Sequence, residues 1–158
     1  MFGSLIEYWI HRAFHIKQSH LIKKIFPKLG LGHARHHKNG TAQGVLLEFR
    51  NYILGTSPVF IPAFIISLEV GLAWTFGVVT YAAFAAFAHQ LQHEIPIKCA
   101  WMNLPVHYVH HKYNQRDFNY GIGVDWWDRL FGTYKEMDWV DESELNQAEE
   151  HMFAVKWL

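Results

Sequence analysis

The 158-residue chain has a single cysteine, Cys99. That excludes an internal disulfide framework and any four-cysteine zinc or iron–sulfur site. Charge of one sign is lacking too: 14 Lys and Arg balance 14 Asp and Glu, so nothing points to nucleic acid or another polyanion as a partner. No glycine-rich flavin or nicotinamide fingerprint occurs. The N-terminus does not read as a cleaved leader, since a charged, then apolar, then small-residue pattern is missing. From residue 51 to residue 97 there is no Lys or Arg at all. What the chain has in excess is histidine, 12 residues, and aromatic side chains, 16% of the total with seven Trp. A purification tag would be one contiguous run, whereas these histidines extend from His11 to His151.

By length the chain is one domain, 1–158. Helical patterning predicts a first helix from Met1 to Ile25, ended by Pro27 and the Gly30/Gly32 pair. A short second helix carries His33 to Lys38, and Asn39-Gly40 turns the chain. Tyr52–Leu68 and Val70–Ala88 are apolar stretches of 17 and 19 residues separated by Glu69. A membrane span takes about 20 such residues, so the pair reads as a transmembrane hairpin over 52–88 with its turn near Glu69; the alternative is a buried hairpin in a soluble core. Pro58 and Pro62 are expected to kink the first leg. Lys23, Lys24, Lys28, Arg35, Lys38 and Arg50 precede the hairpin and Lys98, Lys112 and Arg116 follow it. The positive-inside rule then puts both flanks on the cytoplasmic face. The acidic tail, 138–158, reads as a surface helix.

Ten of the twelve histidines fall into four clusters. His11 and His15, and His89 and His93, are spaced i, i+4; His33, His36 and His37, and His107, His110 and His111, are spaced i, i+3, i+4. On a helix both spacings put imidazoles on one face, a turn apart. A lone pair of this kind means little, but a two-three-two-three repeat either side of the hairpin is specific. Neutral imidazole is a good ligand for iron, zinc, copper and nickel. Ten rings exceed the capacity of one ion, whereas two ions would have about five each and keep a position open. His20 and His151 stand outside the pattern and are not expected to be ligands.

Glu7-Tyr8-Trp9-Ile10-His11-Arg12, the four boxes in order, Asn119-Tyr120-Gly121 and the run from Trp127 to Thr133 resemble the fatty acid hydroxylase/sterol desaturase superfamily over Glu7 to Tyr134. The resemblance implies an all-α, integral-membrane, multi-pass enzyme with a dimetal site on the cytoplasmic face. It implies two iron ions held by the ten boxed histidines, and the use of dioxygen and two electrons to hydroxylate or desaturate a lipid. Members of the superfamily usually have membrane helices ahead of the first box, so the chain is either a minimal version or lacks N-terminal helices. Three residues separate the first two histidines, as in the sterol desaturase branch, while the Glu-Tyr ahead of His-Arg is similar to fatty acid 2-hydroxylases. The lipid is therefore left open.

Other readings are a carotenoid ring hydroxylase and a non-catalytic membrane metal binder. With no electron-carrying motif of its own, an enzyme of this kind needs an external electron-transfer protein such as a ferredoxin. The basic cluster from Lys23 to Lys38 either docks that carrier or anchors the chain to anionic lipid. Metal-bound imidazoles commonly give their second N–H to a carboxylate or carbonyl. Glu7, Glu94, Asp117, Asn119 and Asp128 are candidates, the alternative for each being a surface acid or helix cap; Arg12 and Arg129 are candidates to pair with them. Tyr8, Trp9, Trp101, Tyr108, Trp126 and Trp127 either line a lipid channel or form an interfacial belt and core packing.

Overall fold

Histidine-bearing helices meet at one end of a long apolar helix in the computed structural model, which describes residues 2–15 and 31–158. α1 spans Phe2–His15 and α2 spans Leu31–Asn39. The rest of the first helix expected from the sequence, with Pro27, Gly30 and His20, lies outside the described residues. Gly40 ends α2 with φ +64°, a conformation that suits glycine, as the Asn39-Gly40 pair predicts. α3 (Val45–Thr56) leads into a 3₁₀ turn at Ser57–Val59 and then α4 (Phe60–Ile66). α3 and α4 are bent by 53°. Pro58 opens the 3₁₀ turn and Pro62 occupies the first turn of α4, where a missing N–H costs little. The expected first leg is thus two helices, and it starts seven residues earlier than Tyr52.

The chain reverses at Ser67, two residues before the expected position. Ser67 has extended backbone and its hydroxyl accepts the Val70 N–H at 3.2 Å, capping α5 (Leu68–Glu94). α4 folds back closely because Gly71 has no side chain: a Cβ there would lie 2.2 Å from the Phe64 ring. α5 has 27 residues, about 40 Å, and is long and apolar enough to cross a membrane. Ile61, Ile65, Ile66, Leu68, Leu72 and Phe76, near the turn, are all exposed.

At its other end α5 becomes buried. Ala82, Ala85, Ala86 and Ala88 are covered, their small side chains letting neighbours approach. Ala86, Leu91 and Ile95 join Met102, Leu104, Val106, Val109, Val45 and Val155 in the apolar core. α6 (Val106–Lys112) follows, then α7 (Trp126–Leu130) and α8 (Glu142–Asn146). Among the described residues there is no strand, in accord with the all-α expectation.

The tail differs from the expected surface helix. Only Glu142–Asn146 is α-helical, started by a capping box between Asp141 and Glu144. Beyond it the chain forms a strap: the Lys156 and Trp157 carbonyls accept the Val45 and Leu46 N–H groups at 3.1 and 3.0 Å. These are donors that the first turn of α3 leaves free, and Val155 is buried beneath.

Candidate metal centre

Helical spacing turns His11 and His15 of α1, His33 and His37 of α2, and His110 of α6 toward one point. Their ligand atoms lie within 4.8 Å of one another. His36 of α2, His89 and His93 of α5, and His107 of α6 form a second such group. Each three-histidine box is therefore split between the groups. His111 lies between them, stacked on His37 at 4.0 Å and within 4.7 Å of the His36, His93 and His107 ring centres. Both of its ring nitrogens are buried without a hydrogen-bond partner. All ten boxed histidines are thus brought together. His151 is exposed and accepts the Phe153 N–H at 3.2 Å; His20 lies outside the described residues.

The outward nitrogens show how the rings are held. His11 Nδ1 donates to the Tyr120 carbonyl at 2.6 Å and His110 Nδ1 to that of Phe118 at 2.8 Å. His36 Nδ1 donates to Thr41 at 3.1 Å and His93 Nδ1 to Gly40 at 3.3 Å. A carbonyl only accepts, so each of these rings carries its proton on Nδ1 and, when neutral, turns a lone pair inward at Nε2. Yet His36 Nε2 lies 3.1 Å from His93 Nε2, and His110 Nε2 lies 3.0 Å from His15 Nε2 and 3.2 Å from His37 Nε2.

Protonation is disfavoured there. Burial, and then the neighbouring imidazoles, push His33 down to about 2, His110 to about 3 and His37 to about 4, and hold His11, His107 and His111 well below the usual range. Burial likewise pushes His36 down to about 4. Neutral imidazoles with converging lone pairs are what a cation requires. Two nitrogens each about 2.1 Å from one ion, at a right angle, would stand about 3.0 Å apart. The clusters are compatible with a metal site. Cys99, the one thiol, is buried in the apolar core instead.

The loop after α6 supplies two of the carbonyls. Asn119, at φ +60°, exchanges hydrogen bonds with both backbone groups of Lys135 and donates to Gln115 Oε1 at 2.7 Å. Asp128 accepts the Tyr120 and Gly121 N–H groups at 2.8 and 2.7 Å and the Thr133 hydroxyl at 2.7 Å. Tyr8 donates to Thr133 at 2.8 Å, and Arg12 donates to Tyr8 at 3.2 Å. Gly121 is required here: a Cβ would lie 2.1 Å from the Val124 carbonyl oxygen.

Of the polar residues expected to touch the histidines, Asn119 and Asp128 act through backbone. Glu7 is buried and accepts from the Tyr52 and Tyr81 hydroxyls and the Gly123 N–H, not from a histidine; burial pushes its carboxyl up. Glu94 accepts the Lys156 N–H at 2.7 Å, and Asp117 is exposed. Arg12 lies over the Trp9 and Tyr120 rings, and Arg129 pairs with Asp125 at 2.8 Å, so neither meets the expected acids. Tyr8 is fully buried and is a packing residue, while half-buried Trp127 donates to Ser4 and exposed Trp101 to the Gly123 carbonyl. Sequence reasoning missed Glu48, 3.5 Å from His89 Nδ1. An acid at the mouth of an apolar stretch is a signal that could have found it.

Residues 1–133 match the family described as fatty acid hydroxylase. A Delta(7)-sterol 5(6)-desaturase from Leptosphaeria maculans is 28% identical over 164 residues. That alignment covers 99% of this chain and 40% of the relative, so the chain spans about two fifths of the relative's length. No solved structure matches. On the match of most of its length, the chain belongs to the fatty acid hydroxylase family, within the fatty acid hydroxylase/sterol desaturase superfamily.

Proposed function

We propose that the chain is the core of an integral-membrane, dioxygen-dependent di-iron enzyme that hydroxylates or desaturates a lipid. The observation that carries this reading is the pair of interleaved imidazole groups with lone pairs facing inward. His11, His15, His33, His37 and His110 would hold one ion; His36, His89, His93 and His107, with His111 beside them, would hold the other. Bound iron would supply activation of dioxygen for attack on an unactivated C–H bond. The protein's share is to keep the rings neutral, aim them through carbonyl hydrogen bonds and cover them from water. Family membership supports lipid as the substrate class, and the relative named for a sterol desaturase makes a sterol-like ring a substrate to try first.

In this reading α3 with α4 is one leg, and α5 the other, of a membrane hairpin. The exposed apolar residues near Ser67 face lipid, and the histidine end faces the cytoplasm, beside Arg35, Lys38, Lys98 and Lys112. Electrons arrive from a separate carrier of the ferredoxin kind. The test combines two measurements on the chain expressed in a host membrane: iron per chain, and lipid profile against a vector control. Two irons and a new hydroxylated or unsaturated lipid are expected. Two irons with no lipid change and no reductant-dependent oxygen uptake would favour the metal-binding reading instead.

A further inference from the structure

Four of the boxed rings give their outward nitrogen to a backbone carbonyl. His89 does not: its Nδ1 lies 3.5 Å from Glu48 Oε1, with both side chains largely covered. Among the described residues Glu48 is the one carboxylate within 4.0 Å of a boxed histidine nitrogen. Its place is fixed from two sides. The Gly44 N–H, just ahead of α3, donates to Gln90 Oε1 at 2.8 Å, next in sequence to His89. The tail strap holds the following two N–H groups of α3. Glu48 therefore meets His89 through anchored backbone rather than a loose side-chain encounter.

We propose that Glu48 is a positioning residue that orients His89 as an Nδ1–H donor, and that its charge makes the His36/His89/His93/His107 metal position the tighter of the two. This rests on the two-metal reading above. A carboxylate behind an imidazole fixes its tautomer and raises the donor strength of the other nitrogen. The charge of Glu48 also reaches His36, a second member of the same group. In the other group, His11 and His110 have only neutral carbonyls behind them. A dication is therefore favoured more strongly in the Glu48 group.

The test is Co²⁺ titration of the full apo chain in detergent micelles, read by visible absorption and by ions bound per chain. The wild type is expected to take two ions in two steps. Glu48→Gln, which keeps the shape and removes the charge, should weaken the tighter step by about 10- to 100-fold and leave the weaker one in place. Glu136→Gln is the control, since Glu136 is an exposed acid after Thr133, and should change neither step. Two unchanged steps in Glu48→Gln would overturn the inference while leaving the two-metal reading intact. So would a loss confined to the weaker step, or an equal loss of both. A wild-type chain that takes only one ion would overturn both readings.

Discussion

His36 and His93 bring their Nε2 atoms to 3.1 Å of each other while each gives its Nδ1 proton to a carbonyl, Thr41 and Gly40 respectively. Neither ring has a proton left to share, so the contact sets lone pair against lone pair. A cation between them removes the conflict. Metal should therefore stabilise the fold: at a free ion concentration of about 100 Kd the gain is about 2.7 kcal/mol per site. Thermal unfolding with and without a strong chelator checks this, and an unchanged midpoint would count against a metal between these rings.

Histidine substitutions should follow position in the groups rather than histidine content. His37→Ala and His111→Ala should lose bound metal and turnover. His151→Ala should be nearly silent, because its ring contacts Phe153 at the surface. Iron content of the three variants in matched membranes decides it; metal loss in His151→Ala with retention in His111→Ala would sink the assignment.

Asp128 never touches a histidine, yet it should matter. Asp128→Ala strands the Tyr120 and Gly121 N–H groups and the Thr133 hydroxyl in a buried setting. Hydrogen bonds to a charged group contribute about 1.5–3 kcal/mol each, so a loss of about 3 kcal/mol or more is expected. Gly121→Ala should act the same way through its clash with Val124. Denaturant unfolding measures both, and a loss under about 1 kcal/mol would contradict the clamp.

Acid should empty the site. His36 and His37 are held at about 4 when folded against an ordinary 6.5. Between those values the unfolded chain binds protons that the folded chain refuses, so stability rises with pH across the window and is lost as pH falls below 6.5. Protons compete with metal for the same nitrogens. Metal content after equilibration at stepped pH should fall through this window; full retention at about pH 4 would contradict it.

The topology is open to labelling. In a Cys99→Ala background, Glu69→Cys and Arg35→Cys should react from opposite sides of a sealed membrane, because Glu69 follows the Ser67 reversal and Arg35 lies on α2 among the histidines. Reaction from the same side would mean that the apolar legs do not cross.

Much of this site was legible because i, i+4 spacing on a helix is local geometry. What local geometry cannot tell is which group a ring joins. α2 sends His33 and His37 one way and His36 the other, a division set by how α1, α5 and α6 approach it. The ring partners were hidden for another reason. Backbone carbonyls at Gly40, Thr41, Phe118 and Tyr120 have no side-chain signature, so polar side chains point only to Asp128 and Asn119, at one remove. The tail misled because acidic composition suits a solvated helix, while its strap contacts are made by main-chain atoms of residues 156 and 157.

The short helix Val106–Lys112 serves both groups, sending His107 to one and His110 to the other. Gln92 Oε1 accepts the His107 N–H at 3.0 Å, and Tyr108 and Lys112 reach Glu144 from the same helix. A chain still on the ribosome, with Val106–Lys112 not yet emerged, lacks a ring from each constellation. Both constellations are therefore completed by the same late segment, and neither is whole until that segment docks.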